Sequence, residues 1–158
     1  MKWTLYLFIL LGLLSCKEDK PISTTQVIQR EGFINIINEP SEKIQVINFW
    51  ATWCAPCVEE LPYFEKVNTK YDDVDVVLIS LDDVEKVTST VNPFLKEEEI
   101  KSAVYLLDDP YAAEWIPTVD DHWDGAIPVT LIKKGKEKYF INKAVTYDQL
   151  EEAIAQFR

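Results

Sequence analysis

Three stretches of the chain are mostly apolar and each has the length of a strand: Ile44 to Phe49, rich in β-branched residues, Val74 to Leu81 and Ala103 to Leu107. Runs of that kind, with few polar positions, suit strands covered on both faces. A fourth, Val129 to Lys133, is followed by a Lys134-Gly135 turn and by Glu137 to Ile141, which predicts an antiparallel hairpin. Between these runs the period changes. Val58, Leu61, Phe64 and Val67 recur at helical spacing from Cys54 onward, with Pro56 early in the helix and Pro62 inside it, where a kink is expected. Helical stretches are expected from Asp82-Asp83 to about Val91 and from Pro93 through Glu99, with helix-like and turn-like residues to Asp124-Gly125. Thr146 and Gln149 form a capping-box pattern that opens a last helix to Phe157. Glu31 to Asn38 adds a helix or a strand before the first core strand, with Gly32 weighing against the helix. The sum is one α/β domain with a mixed central β-sheet flanked by helices, spanning residues 26–158.

Ahead of that domain the pattern differs. Trp3 to Leu14 is an unbroken apolar run behind Lys2, shorter than the roughly 18 residues a spanning helix needs and suited to the apolar core of a signal peptide. Leu13-Leu14-Ser15-Cys16 resembles the lipobox of bacterial lipoproteins, which implies a signal peptide over 1–15, acylation of Cys16 and attachment to a membrane through that lipid. Residues 16–25 are then the lipidated N-terminus and a polar, flexible tether. Lys17-Glu18-Asp19 also resembles an acidic signal for export to the cell surface, so the expected location is the cell envelope, periplasm-facing or on the surface.

Charge narrows the partners. The sequence carries 27 acidic residues and 16 basic ones, and loss of Lys2 with the signal leaves 27 against 15, or −12. A chain so acidic is a poor match for nucleic acid or an anionic membrane surface. The acidic pairs, Asp82-Asp83 and Asp120-Asp121 among them, are read as solubilising surface.

With Cys16 set aside, Cys54 and Cys57 form the sole C-x-x-C. A disulfide between them closes too small a loop to stabilise by restraining the unfolded chain, and His122 adds one ligand at most toward the four of a structural zinc site. Redox chemistry is the remaining use, and no metal or other cofactor beyond the Cys54–Cys57 disulfide is expected. Cys54, at the start of a helix, sits where free N–H groups and the helix dipole favour a thiolate, the reactive form. Cys57, one turn on and more buried, is placed to attack a mixed disulfide.

The order of strand, Trp53-Cys54-Ala55-Pro56-Cys57, helix, and later Ile127-Pro128 before a strand resembles the thioredoxin superfamily. Within it, Phe49 to Cys57, Glu60 and the lipoprotein signal look most like the exported TlpA and ResA branch. The resemblance implies a thioredoxin fold, a cis Ile127–Pro128 bond beside the cysteines, and substrate contacts from Trp53, Ala55, Pro56, Ile127 and Pro128. It implies that Glu60 accepts or relays the Cys57 proton, provided that it is partly buried. It also implies an extracytoplasmic thiol–disulfide oxidoreductase, reducing protein disulfides in the cell envelope and recharged by a membrane-embedded electron donor. The chain is expected to act as a monomer. A disulfide oxidase or isomerase, or a non-catalytic binding module, are the alternatives. Asn48 stands where thioredoxin has a buried aspartate, and an amide takes up no proton near neutral pH. Trp50 is expected in the core. Trp115 to Trp123 forms either a lip facing the substrate or a packed loop, and His122 is expected on the surface.

Overall fold

The structure, a computed structural model, describes residues 20–158. The signal peptide, Cys16 and the first part of the tether lie outside the described residues. The elements follow in the order β1 (Gln26–Ile28), α1 (Arg30–Asn38), β2 (Ile44–Trp50), α2 (Ala55–Lys70), β3 (Val74–Ser80), α3 (Asn92–Glu97), β4 (Ala103–Leu107), α4 (Ala112–Val119), β5 (Val129–Lys134), β6 (Glu137–Ile141) and α5 (Tyr147–Ala155). A 3₁₀ turn (Val84–Lys86) and a π turn (Val87–Val91) precede α3, where the sequence suggests an ordinary helix. α2 runs through Pro62 as one element of 16 residues.

The six strands form one sheet in the order β1-β4-β3-β2-β5-β6. β1, β4, β3 and β2 are parallel, while β5 runs antiparallel to β2 and β6 antiparallel to β5. β2 is central, and its alternate side chains feed two cores. Ile44, Val46 and Trp50 face α2, α3 and α5, packing with Leu61, Phe64, Leu95 and Leu150. Ile47 and Phe49 face α1 and α4, packing with Phe33, Ile37, Trp115 and Trp123. Double coverage explains why β2 and β3 read as mostly apolar runs.

The second core settles the role of the Trp115–Trp123 stretch. Both tryptophans are buried. Trp115 lies 5.4 Å from Phe33 and 5.6 Å from Trp123 between ring centroids, and Trp123 lies 4.8 Å from Phe49. The stretch is a packed wall of aromatic rings, not a substrate lip. α1 is a helix in spite of Gly32, because Phe33 and Ile37, four residues apart, both reach this core.

The described end of the tether is not free. Ser23 N–H donates to the Ile100 carbonyl at 2.8 Å, its hydroxyl donates to the Ser102 carbonyl at 2.5 Å, and Thr25 N–H donates to Asn92 Oδ1 at 2.9 Å. These polar bonds lead the chain into β1, which pairs with β4. Lys133, at the end of an apolar run, is buried, and its ammonium donates to the carbonyls of Ile36, Ile37 and Glu39. It closes the C-terminus of α1, where the dipole favours a cation.

The capping box at α5 forms in both directions: Gln149 N–H donates to Thr146 Oγ1, and Thr146 N–H donates to Gln149 Oε1 at 3.0 Å. Thr146→Ala is therefore expected to cost about 1 kcal/mol, read as a lower urea midpoint with an unchanged slope.

Candidate redox-active site

The site lies where β2 ends and α2 begins. Leu81 N–H donates to the Trp50 carbonyl at 2.8 Å, so the chain leaves β2 tied to the end of β3. It turns at once, and Cys54 N–H donates to the Ala51 carbonyl at 3.1 Å. Cys54 is the residue that caps α2, its own carbonyl accepting from Val58 N–H at 3.0 Å. Pro56 occupies the first turn, where its missing N–H leaves no helical bond unmade. Cys54 and Cys57 are joined in a disulfide with a Cα–Cα separation of 5.3 Å. Cys57 is fully buried and Cys54 is 6% exposed, so the outer sulfur is more sheltered than a freely exposed nucleophile.

Around this pair the expected residues assemble. Ile127–Pro128 is cis, and the Ile127 carbonyl oxygen lies 3.9 Å from Cys54 Sγ. That loop is set by its own bonds: Trp123 Nε1–H donates to the Ala126 carbonyl at 2.7 Å. At Gly125 φ is +90°, and a Cβ there would meet Ile116 Cδ1 at 3.0 Å. Glycine is thus required at the bend that delivers the cis bond. Pro128 is buried and Ile127 half-buried, while Ala55 and Pro56 are exposed on the first turn of α2. Trp53 is 69% exposed beside the disulfide, an apolar surface left largely uncovered by the described residues. Trp50, by contrast, is fully buried.

Glu60 lies one turn beyond Cys57 on the inner face of α2 and is buried. Its Oε1 accepts from Asn48 Nδ2–H at 2.8 Å and its Oε2 from Val145 N–H at 2.7 Å. Burial pushes its pKa up to about 7 from the usual 4.5, against the opposing pull of the Val145 and Asn48 hydrogen bonds. Asn48, also buried, makes further bonds from Nδ2 to the Val129 carbonyl and Thr130 Oγ1. The residue that replaces an aspartate is therefore a partner of the acid rather than a second one. His122 is on the surface, 3.2 Å from Asp120. Among the described residues no three potential metal ligands cluster, and no helix is long and apolar enough to cross a membrane.

One group near the cysteines escaped the sequence. Asp82, read as half of a solvated acidic pair, is buried, and its carboxylate accepts from both the backbone N–H and the hydroxyl of Thr52. Its position immediately after a β-strand, on the edge where the C-x-x-C lies, was the available signal.

Comparison with known proteins agrees with this geometry. The Redoxin family profile matches residues 38–124. ResA thiol–disulfide oxidoreductase of Bacillus thuringiensis subsp. konkukian is 34% identical over 112 residues, covering 68% of this chain and 60% of that protein. ResA of Oceanobacillus iheyensis is 32% identical over 139 residues, covering 85% of this chain and 62% of the relative. The chain thus spans somewhat under two thirds of the curated relatives it matches. Among solved structures, a thioredoxin-related protein from Neisseria meningitidis serogroup B superposes with a TM-score of 0.63 at 24% identity, over 75% of this chain and 87% of the other. StoA from Bacillus subtilis gives 0.53 at 22%, over 72% and 84%. These likenesses establish the thioredoxin fold.

Proposed function

We propose, from the premise that this chain belongs to the Redoxin family and has the thioredoxin fold of ResA-like proteins, that it is an extracytoplasmic thiol–disulfide oxidoreductase that reduces disulfides in exported proteins. The observation that carries this reading is the Cys54–Cys57 disulfide at the mouth of α2, 3.9 Å from the carbonyl that precedes cis-Pro128.

The cycle follows from the positions. In the dithiol form the Cys54 thiolate attacks one sulfur of a partner disulfide, forming a Cys54–partner bond and expelling the other partner sulfur as a thiolate. Cys57 then gives its proton to Glu60 and attacks Cys54 Sγ, restoring the Cys54–Cys57 bond and releasing the second partner thiolate. Two electrons pass to the partner, and a buried carboxyl with a pKa of about 7 is matched to taking one proton near neutral pH. Ala55, Pro56, Trp53, Ile127 and Pro128 surround the sulfur that the partner must approach, and the Ile127 backbone offers an extended partner segment a hydrogen-bonding edge.

The substrates are protein thiols and disulfides of the cell envelope, and a membrane-embedded donor returns the electrons. The chain works as a monomer, without metal or organic cofactor. Residues 1–15 act as a lipoprotein signal peptide, residues 16–25 as the link from lipid to domain, and residues 26–158 as the catalytic domain. Cys16→Ala is expected to abolish incorporation of labelled palmitate and to move the protein from the membrane fraction to the soluble one. Retention in the membrane fraction would count against the anchor.

The activity is tested with insulin as the disulfide substrate and with the Cys54/Cys57 potential measured against a glutathione series. Catalysed insulin reduction and a potential near ~ −270 mV are expected of a reductant. A potential near ~ −120 mV would reverse the direction of electron flow. Insulin reduction no faster than that by a free dithiol would overturn the enzyme reading.

A further inference from the structure

Asp82 is a buried acid that the cycle above does not use. It follows β3 and points back under the turn that leads to the nucleophile. Oδ2 accepts from Thr52 N–H at 3.0 Å and from the Ser80 hydroxyl at 2.8 Å, and Oδ1 accepts from the Thr52 hydroxyl at 2.6 Å. The Ser80 oxygen in turn accepts from Asp82 N–H at 3.1 Å, which leaves its proton for the carboxylate. Each of these groups is a donor to Asp82, and the acid sits as an acceptor in a closed network.

That network is joined through the turn to the residue that carries the reacting sulfur. The Cys54 N–H bond to the Ala51 carbonyl folds the turn back on itself, so the Asp82 carboxylate lies no more than about 9 Å from the Cys54 nitrogen along those bonds. The turn itself and the two segments tied to it are 51–60, 80–83 and 120–128. They contain Glu59, Glu60, Asp82, Asp83, Asp120, Asp121 and Asp124, with His122, and neither lysine nor arginine. Of these acids Asp82 and Glu60 are buried.

We infer that Asp82 is a positioning residue of the redox site: its carboxylate fixes the Ala51–Cys54 turn, and its negative charge opposes the Cys54 thiolate, so that the disulfide is favoured over the dithiol and the pair is the stronger electron donor. The inference rests on the proposed oxidoreductase reading and adds to it the element that sets the direction of electron flow. The physical reason is a competition. The mouth of α2 stabilises a thiolate, and a reduced form stabilised in that way makes an oxidant. A fixed negative charge at this range from a buried cysteine takes back a comparable amount, on the order of one pH unit.

The test separates charge from shape. Asp82→Asn preserves the outline of the network: its amide oxygen can accept from Thr52 N–H and Ser80, and its amide N–H can donate to Thr52 Oγ1. The pH midpoint of Cys54 alkylation in the reduced protein should fall by roughly one unit, a tenfold gain in thiolate below the midpoint. The potential should rise by about 30 mV, which is tenfold for a two-electron couple. Thr52→Val removes a donor that neutralises the carboxylate and should move the midpoint the other way, with Thr52→Ser restoring it. Asp83→Asn, an exposed neighbour, controls for surface charge.

Alkylation reads the thiol directly, so the result does not depend on insulin reduction. A failed insulin assay would strike the enzyme reading alone. An Asp82→Asn midpoint no lower than that of Asp83→Asn would overturn the inference, as would a shift of both network variants in the same direction. Should Asp82→Asn not fold, Thr52→Val decides by itself, and a midpoint unchanged or lowered overturns the inference.

Discussion

Cys54→Ser is expected to abolish disulfide reduction, a loss of roughly 10³-fold or more in the insulin assay, as removal of a covalent nucleophile does elsewhere. Cys57→Ser should also lose turnover, but in a different way. Cys54 caps α2 and faces the loop of the cis proline, whereas Cys57 is fully buried behind it. A partner sulfur can therefore reach the first and not the second. With Cys54 gone, the buried thiol has no access to substrate, and no covalent complex should form. With Cys57 gone, Cys54 still attacks, and the mixed disulfide has nothing nearby to displace it. Non-reducing gels of the Cys57→Ser protein mixed with oxidised insulin should show a covalent adduct that the Cys54→Ser protein lacks. Equal adduct yields from the two variants would mean that both sulfurs are accessible, and the assigned order of attack would be wrong.

Much of this site is legible in the sequence, because its parts are local. A C-x-x-C after a β-branched strand, a proline on the first helical turn and Glu60 one turn later are adjacent in sequence and stand in fixed relation on a helix. Ile127–Pro128 lies far along the chain, and a proline before a strand is ordinary on its own; only the resemblance to the thioredoxin superfamily marked it. What escaped depends on long-range pairing. Asp82 resembles any surface acid until β2 and β3 are placed side by side in parallel, with Trp50 opposite Ser80. Lys133 ends an apolar strand as if at its exposed tip, and only the packing of α1 over the sheet gives its ammonium three carbonyls. β1 has three residues and no pattern of its own, since pairing with β4 is what makes it a strand. The two tryptophans of the 115–123 stretch are informative only in company with Phe33 and Phe49 from other elements.

Glu60→Gln should remove both the proposed proton acceptor and a source of pH-dependent instability. The folded protein holds this carboxyl with a pKa of about 7, and the unfolded chain near 4.5, because burial disfavours the charged form. The native state then binds the proton more tightly than the unfolded state. The resulting stability is fully present below pH 4.5 and is lost as pH rises through 7. The shift corresponds to about 3 kcal/mol over that window. In Glu60→Gln this pH dependence is gone, so the stability difference between the two proteins should change by about that amount from pH 4.5 to pH 8, in favour of the variant at the alkaline end. The substitution is accommodated locally. The oxygen of the introduced amide can still accept from Val145 N–H, and a turn of the Asn48 amide offers its Oδ1, which has no donor among the described residues, to the introduced N–H group. Urea unfolding of the oxidised proteins across this range measures the change, and parallel curves would show that Glu60 does not titrate there. Activity should move oppositely, with release of the mixed disulfide slowed by roughly 10²-fold or more near neutral pH, the usual weight of a positioned proton acceptor. A more stable, less active variant would mean that the fold tolerates an unfavourable buried charge at the pH where it works, and that the return is a base within one helical turn of the resolving thiol.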